Sequence, residues 1–102
     1  MSKVALIAKI TAKDGQRDAL RDAFASTGMA TVAGEDGTLV YALNEDQKDA
    51  NVLWFYEVYE DGDALAAHGS SEGMKALGGE IREHMAGRPE LTFMNLVTAK
   101  GI

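Results

Sequence analysis

The chain has 102 residues, 46% of them apolar and 25% charged, with a net charge of −6 and a sequence pI near 4.7. That length argues for one domain over residues 1–102 with one modest core. The acidity speaks against a nucleic-acid footprint, and the absence of cysteine excludes disulfides, thiolate catalysis and cysteine-ligated zinc.

Residues 3–11 read as a strand, with Val4, Leu6, Ala8 and Ile10 on one face and Ala5, Ile7, Lys9 and Thr11 on the other. Both faces are largely apolar, so both need a cover. Asp14-Gly15 is a turn, and Asp14 is placed to cap a helix from about Gln16 to Ala33. Leu20, Ala23, Phe24, Thr27 and Thr31 form its inward stripe. Gly34 to Gly37 breaks the helix. Thr38 to Asn44 is a second strand with Leu39, Tyr41 and Leu43 alternating, and Glu45 to Ala50 is a polar connection. Asn51 to Tyr59 is a third strand: Val52, Trp54, Tyr56 and Val58 share one face, and Leu53, Phe55, Glu57 and Tyr59 the other.

Asp61 opens a short helical piece through His68. Ser70 or Ser71 caps a longer helix ending near Ala86, with Met74, Leu77, Ile81 and Met85 as its stripe; Gly87 and Pro89 are its stop. Gly78-Gly79 inside it costs about 1 kcal/mol per glycine relative to alanine. Leu91 to Thr98 is the last strand. The order strand, helix, strand, strand, helix, strand is the ferredoxin-like split β-α-β arrangement, an α+β fold with helices on one face of an antiparallel sheet. One chain supplies one layer of helices, so the second apolar face points to a homodimer. No apolar run approaches the ~18 residues of a membrane span. The basic residues are dispersed among acids, so no polybasic membrane patch forms. The apolar stretch after Met1 is too short for a signal-peptide core, and a cytoplasmic protein is expected.

Several segments carry a resemblance. Lys13-Asp14-Gly15, Glu35 to Tyr41 as acid-x-Gly-x-Leu-x-Tyr, Tyr56 to Asp61, Ala64-Leu65 with His68, and Met74-Lys75 resemble the antibiotic biosynthesis monooxygenase family. The tail, Met94-Asn95-Leu96 through Gly101-Ile102, is similar to the bacterial quinol monooxygenases of that family. The family usually has tryptophan where Tyr59 stands. The resemblance implies a dimeric α+β barrel that oxygenates a small phenolic or hydroquinone substrate with molecular oxygen, without metal or other cofactor. Two other branches fit less well. The haem-degrading pattern falls on Ala8, His68 and Gly78, none of which matches. The isomerase branch shares Tyr56-Glu57-Val58-Tyr59, but its further histidine falls on Gly73. An isomerase of a small carbonyl compound or phosphorylated sugar-derived signal, and a non-catalytic ligand-binding module, are the alternatives.

His68 is the leading catalytic candidate. A neutral imidazole at a pocket can take a phenolic proton, whereas a histidine near a helix C-terminus can also serve the dipole alone. His84 has only the latter setting. Trp54, Phe55, Tyr56, Tyr41 and Phe93 are enough aromatics to line a pocket for a flat ring, and most strand aromatics are core; two or three are expected to touch the ligand. Asn95, polar among apolar neighbours, either reaches the ligand or serves nearby backbone. No His-x-x-His or His-Glu pair suggests a transition metal, and Asp46 and Asp49 lack calcium-loop spacing.

Overall fold

The computed structural model describes residues 2–102. Its elements are β1 (Val4–Thr11), α1 (Arg17–Ala23), a π-helical turn (Phe24–Gly28), α2 (Met29–Val32), β2 (Thr38–Glu45), β3 (Val52–Tyr59), α3 (Gly62–Gly69), α4 (Glu72–Ile81), a 3-10 turn (Arg82–His84) and β4 (Glu90–Asn95). The strands form one antiparallel sheet in the order β2-β3-β1-β4, which is the ferredoxin-like topology. No helix is long and apolar enough to cross a membrane among the described residues.

Alternation on the central strands sets the two faces. The register pairs Ala8 with Phe55 and Ile10 with Leu53, so these four point the same way. They pack with Leu20, Phe24 and Leu77 of the helices in one buried cluster. Tyr41 and Leu43 of β2 lie opposite Glu57 and Phe55 on this face. A register shift between Thr38 and Val40 takes Leu39 out of the expected alternation. The other face carries Ile7, Trp54 and Tyr56.

The helices start and stop where side chains and packing permit. Asp61 caps α3 through the Ala64 amide at 2.8 Å, and Ser71, not Ser70, caps α4 through the Met74 amide at 3.1 Å. Asp14 does not cap α1. Its carboxylate accepts from the Asn51 side chain at 2.7 Å, and Gln16, without a side-chain cap, precedes the first helical residue. Gly15 supplies the positive φ of +75° that the intervening turn needs. The expected single helix is interrupted by the π turn, which sets Phe24 and Gly28, rather than Thr27, as its buried positions. At Gly73 a Cβ would collide with the Thr31 side chain, so α4 crosses α2 only because this residue has no side chain.

Two boundaries fall short of expectation. Helix α4 ends at Ile81, because Met85 turns extended to bridge Ala12 and the Ala86 amide bonds Thr11. β4 ends at Asn95, opposite Val4, where its partner strand begins. Beyond that, a single bond from the Leu96 amide to the Lys3 carbonyl continues the pairing.

Candidate active site

Between the sheet and the helices lies an open, mostly apolar cavity of about 460 Å³, within the range of small-ligand sites. Leu6 and Ala8 supply its floor, and Phe24, Leu77 and Ile81 line it from the helices. Three polar side chains join them: Tyr41, Glu57 and His68.

His68 comes from the last turn of α3, which packs over the turn before β2; a Cβ at Gly37 would come within 2.6 Å of the Ala64 Cβ. That close approach brings Glu35 to the histidine. His68 Nδ1 lies 2.8 Å from Glu35 Oε1, and the Thr38 hydroxyl donates to the same oxygen at 2.7 Å. An ionised carboxylate only accepts, so Nδ1 carries the proton and Nε2 is the free acceptor in the neutral ring. Nε2 faces Glu57 Oε1 at 4.0 Å. The imidazole also packs against the rings of Tyr41 and Tyr59, with centroids 5.5 and 5.2 Å away.

Glu57 is buried on β3 and accepts a tight hydrogen bond from the Tyr59 hydroxyl. Burial pushes its carboxyl above the ordinary glutamate value, against the opposing pull of the Tyr59 bond and His68. Burial first, and neighbouring carboxylates second, raise the Tyr41 phenol above its usual range. Tyr59 is raised by burial and by its bond to Glu57. Both tyrosines therefore remain hydroxyl donors at neutral pH. Tyr41 has no hydrogen-bond partner among the described residues, so its donor is available to a ligand. The cluster can thus accept a proton at His68, hold the resulting imidazolium between two glutamates, and offer a phenolic donor beside it.

The structure brings His68, Tyr41 and Phe93 to this cavity, together with Phe55. It does not bring Trp54, Tyr56 or Asn95. Trp54 and Tyr56 lie on the opposite face of β3, where the Trp54 indole donates to Asp46 at 2.8 Å and Lys9 sits 5.8 Å over its ring. Asn95 shares the helix-side parity of Phe93 but is exposed at the strand end, clear of the cavity. His84 is also away from it, with Nδ1 2.8 Å from the Gln16 side-chain oxygen. Glu35, Glu57 and Tyr59 stand in the sequence only as parts of the segments that carry the resemblance, and none was expected as a site residue. The available signal was Glu57 itself, a carboxylate sharing a strand face with Leu53, Phe55 and Tyr59. Among the described residues no group of three His, Cys, Asp or Glu side chains is placed to hold a metal ion.

Residues 3–78 match the family described as antibiotic biosynthesis monooxygenase. No curated protein matches the chain. Among solved structures, a Caulobacter crescentus protein provisionally named an antibiotic biosynthesis monooxygenase superposes with a TM-score of 0.89 at 26% identity, covering 95% of this chain and 92% of its own. A Chloroflexus aurantiacus protein with the same provisional name gives 0.86 at 28% identity, covering 99% of each chain. A Mycobacterium tuberculosis protein gives 0.84 at 26% identity, covering 98% of this chain and 100% of its own.

Proposed function

Because the chain belongs to the antibiotic biosynthesis monooxygenase family, we propose that it is a cofactor-independent monooxygenase of a small phenol or hydroquinone, with molecular oxygen as second substrate. The observation that carries this reading is the Glu35–His68 pair at an apolar cavity. Family membership alone fixes no reaction.

His68 Nε2 takes the phenolic proton, and Glu35 stabilises the imidazolium that forms. The phenolate is electron-rich and reduces oxygen directly. With a hydroquinone, one oxygen atom replaces a ring hydrogen to give the hydroxyquinone, and the other leaves as water. Tyr41 donates to a substrate oxygen, and Phe55 and Phe93 flank the ring. The apolar walls keep water from the reacting pair, and holding the ring beside the base lowers the entropic cost of the encounter. The test is oxygen uptake by metal-free protein with a panel of hydroquinones. Stimulated uptake is expected with at least one, and no stimulation across the panel counts against the reading.

A second reading has one observation in its favour. His68 and Glu57, 4.0 Å apart, are two proton carriers at one cavity, as an isomerase of a small carbonyl compound needs. It would turn over without oxygen, so an anaerobic assay separates the two. Saturable binding with no turnover would instead identify a ligand-binding module.

The homodimer belongs to the same proposal. Ile7 and Tyr56 are 37% and 36% exposed on the sheet face opposite the helix layer. Packing that face on its copy would bury about 2,000 Å² or more in a stable dimer.

A further inference from the structure

A second, larger concavity of about 610 Å³ adjoins the first. The two share Gly78, Ile81 and Pro89 as lining. The space beside Gly78 is open, since a Cβ there would meet nothing within 4 Å. The charged side chains lining the outer concavity are Arg82 and Arg88, with no acid among its lining residues.

These arginines differ from the others in the chain. Arg17 is bound to Glu45 and to the carbonyls of Asp46 and Asp49. Arg21 pairs with Asp18, Asp22 and Glu45. Among the described residues Arg82 and Arg88 make neither an ion pair nor a side-chain hydrogen bond, although the protein has 16 acidic residues against 10 basic ones. The chain after α4 holds both beside one opening: Arg82 starts the 3-10 turn, and Arg88 precedes Pro89 at the entry to β4. Two guanidinium groups without partners, lining a concavity that adjoins an apolar cavity, suit a carboxylate.

We infer that the substrate is an acidic phenol or hydroquinone, whose ring enters the inner cavity and whose side-chain carboxylate is held by Arg82 and Arg88. The ring's placement rests on the reading of His68 and its cavity given above; the anion subsite rests on the arginines. His68 and the aromatic rings line the inner cavity, Arg82 and Arg88 line the outer one, and Gly78, Ile81 and Pro89 border both. A neutral ring would fill the inner cavity and leave the two cations unused.

The experiment compares 4-hydroxyphenylpropionate with its methyl ester by titration calorimetry, on the wild-type protein and on the Arg82→Gln/Arg88→Gln variant. The acid is expected to bind wild type at least about 10-fold tighter than the ester, as charge-assisted hydrogen bonds imply. That preference should shrink with added salt and vanish in the double variant. A Lys13→Gln/Lys48→Gln variant, with the same change in net charge away from both cavities, should keep it. Equal binding of acid and ester, a preference that survives in the arginine variant, or no binding of either probe at millimolar concentration overturns the inference. Oxygen uptake with 2,5-dihydroxyphenylacetate and its methyl ester separates this from the proposed reaction. Uptake equal for both at low concentration overturns the anion subsite and leaves the reaction standing. Acid-selective binding without uptake for either supports the subsite and counts against the reaction.

Discussion

Glu35 and His68, 33 residues apart in sequence, meet at 2.8 Å and join the turn before β2 to the end of α3. The bond occupies Nδ1 and leaves Nε2 to act. A histidine so held has its tautomer and ring orientation fixed before substrate arrives, which is the arrangement a general base requires.

If His68 is the base, His68→Ala slows turnover by roughly 10²–10⁴-fold. His84→Ala, at a helix end but clear of the cavity, leaves turnover unchanged. Steady-state oxygen uptake on a substrate that wild type oxidises measures both. Full activity in both variants would move the chemistry away from histidine, with Tyr41 the next residue to test.

Glu35→Gln keeps the size of the side chain and removes its charge. As a positioning residue it acts through His68, so its loss in kcat is bounded by that of His68→Ala, roughly 10²–10⁴-fold. The double variant is no slower than His68→Ala alone, since groups acting as a unit are not additive. Additive losses would show that Glu35 acts independently of the imidazole.

Glu57 gives stability a defined pH dependence. Its folded-state carboxyl is raised above the ordinary value by burial. The folded protein therefore holds a proton that the unfolded chain releases, and this contribution is present below the ordinary glutamate range. It is lost as pH rises through the folded-state value. Glu57→Gln removes the dependence and still accepts from Tyr59. Melting curves from pH 4 to 8 should show wild type falling relative to the variant, each kcal/mol appearing as about 4–8 °C in a domain of this size. Parallel curves would mean that burial does not govern this carboxyl.

Tyr56→Glu places a charge on the open sheet face without touching the cavity on the other side. If that face is the dimer interface, the variant sediments as a monomer at micromolar concentration while wild type sediments as a dimer. A compact wild-type monomer under the same conditions would refute the dimer.

Much of the fold was legible because it rests on local rules. The alternation Leu53, Phe55, Glu57, Tyr59 against Val52, Trp54, Tyr56, Val58 is a period of two that only a strand satisfies. Asp61 and Ser71 announce helix starts through hydrogen bonds that span three residues. The order of elements then leaves few topologies for one sheet with helices on one face.

What the sequence could not decide were contacts between distant segments. Asp14 has the chemistry of a cap, but Asn51 takes its carboxylate, 37 residues away. The end of β4 is set by where β1 begins, and the end of α4 by the bridge from Met85 to Ala12. Periodicity separated the two faces of β3 but could not say which one the helices cover, and packing placed Trp54 and Tyr56 away from the cavity. The site follows the same logic. His68 stood out by residue type and neighbourhood. Glu35 and Glu57 are ordinary carboxylates in sequence, and they become its partners only because α3 packs over the Gly37 turn and above β3. Local propensity acts over a few residues along the chain, whereas a proton-transfer cluster depends on distances of a few ångströms between segments that only the packed core brings together.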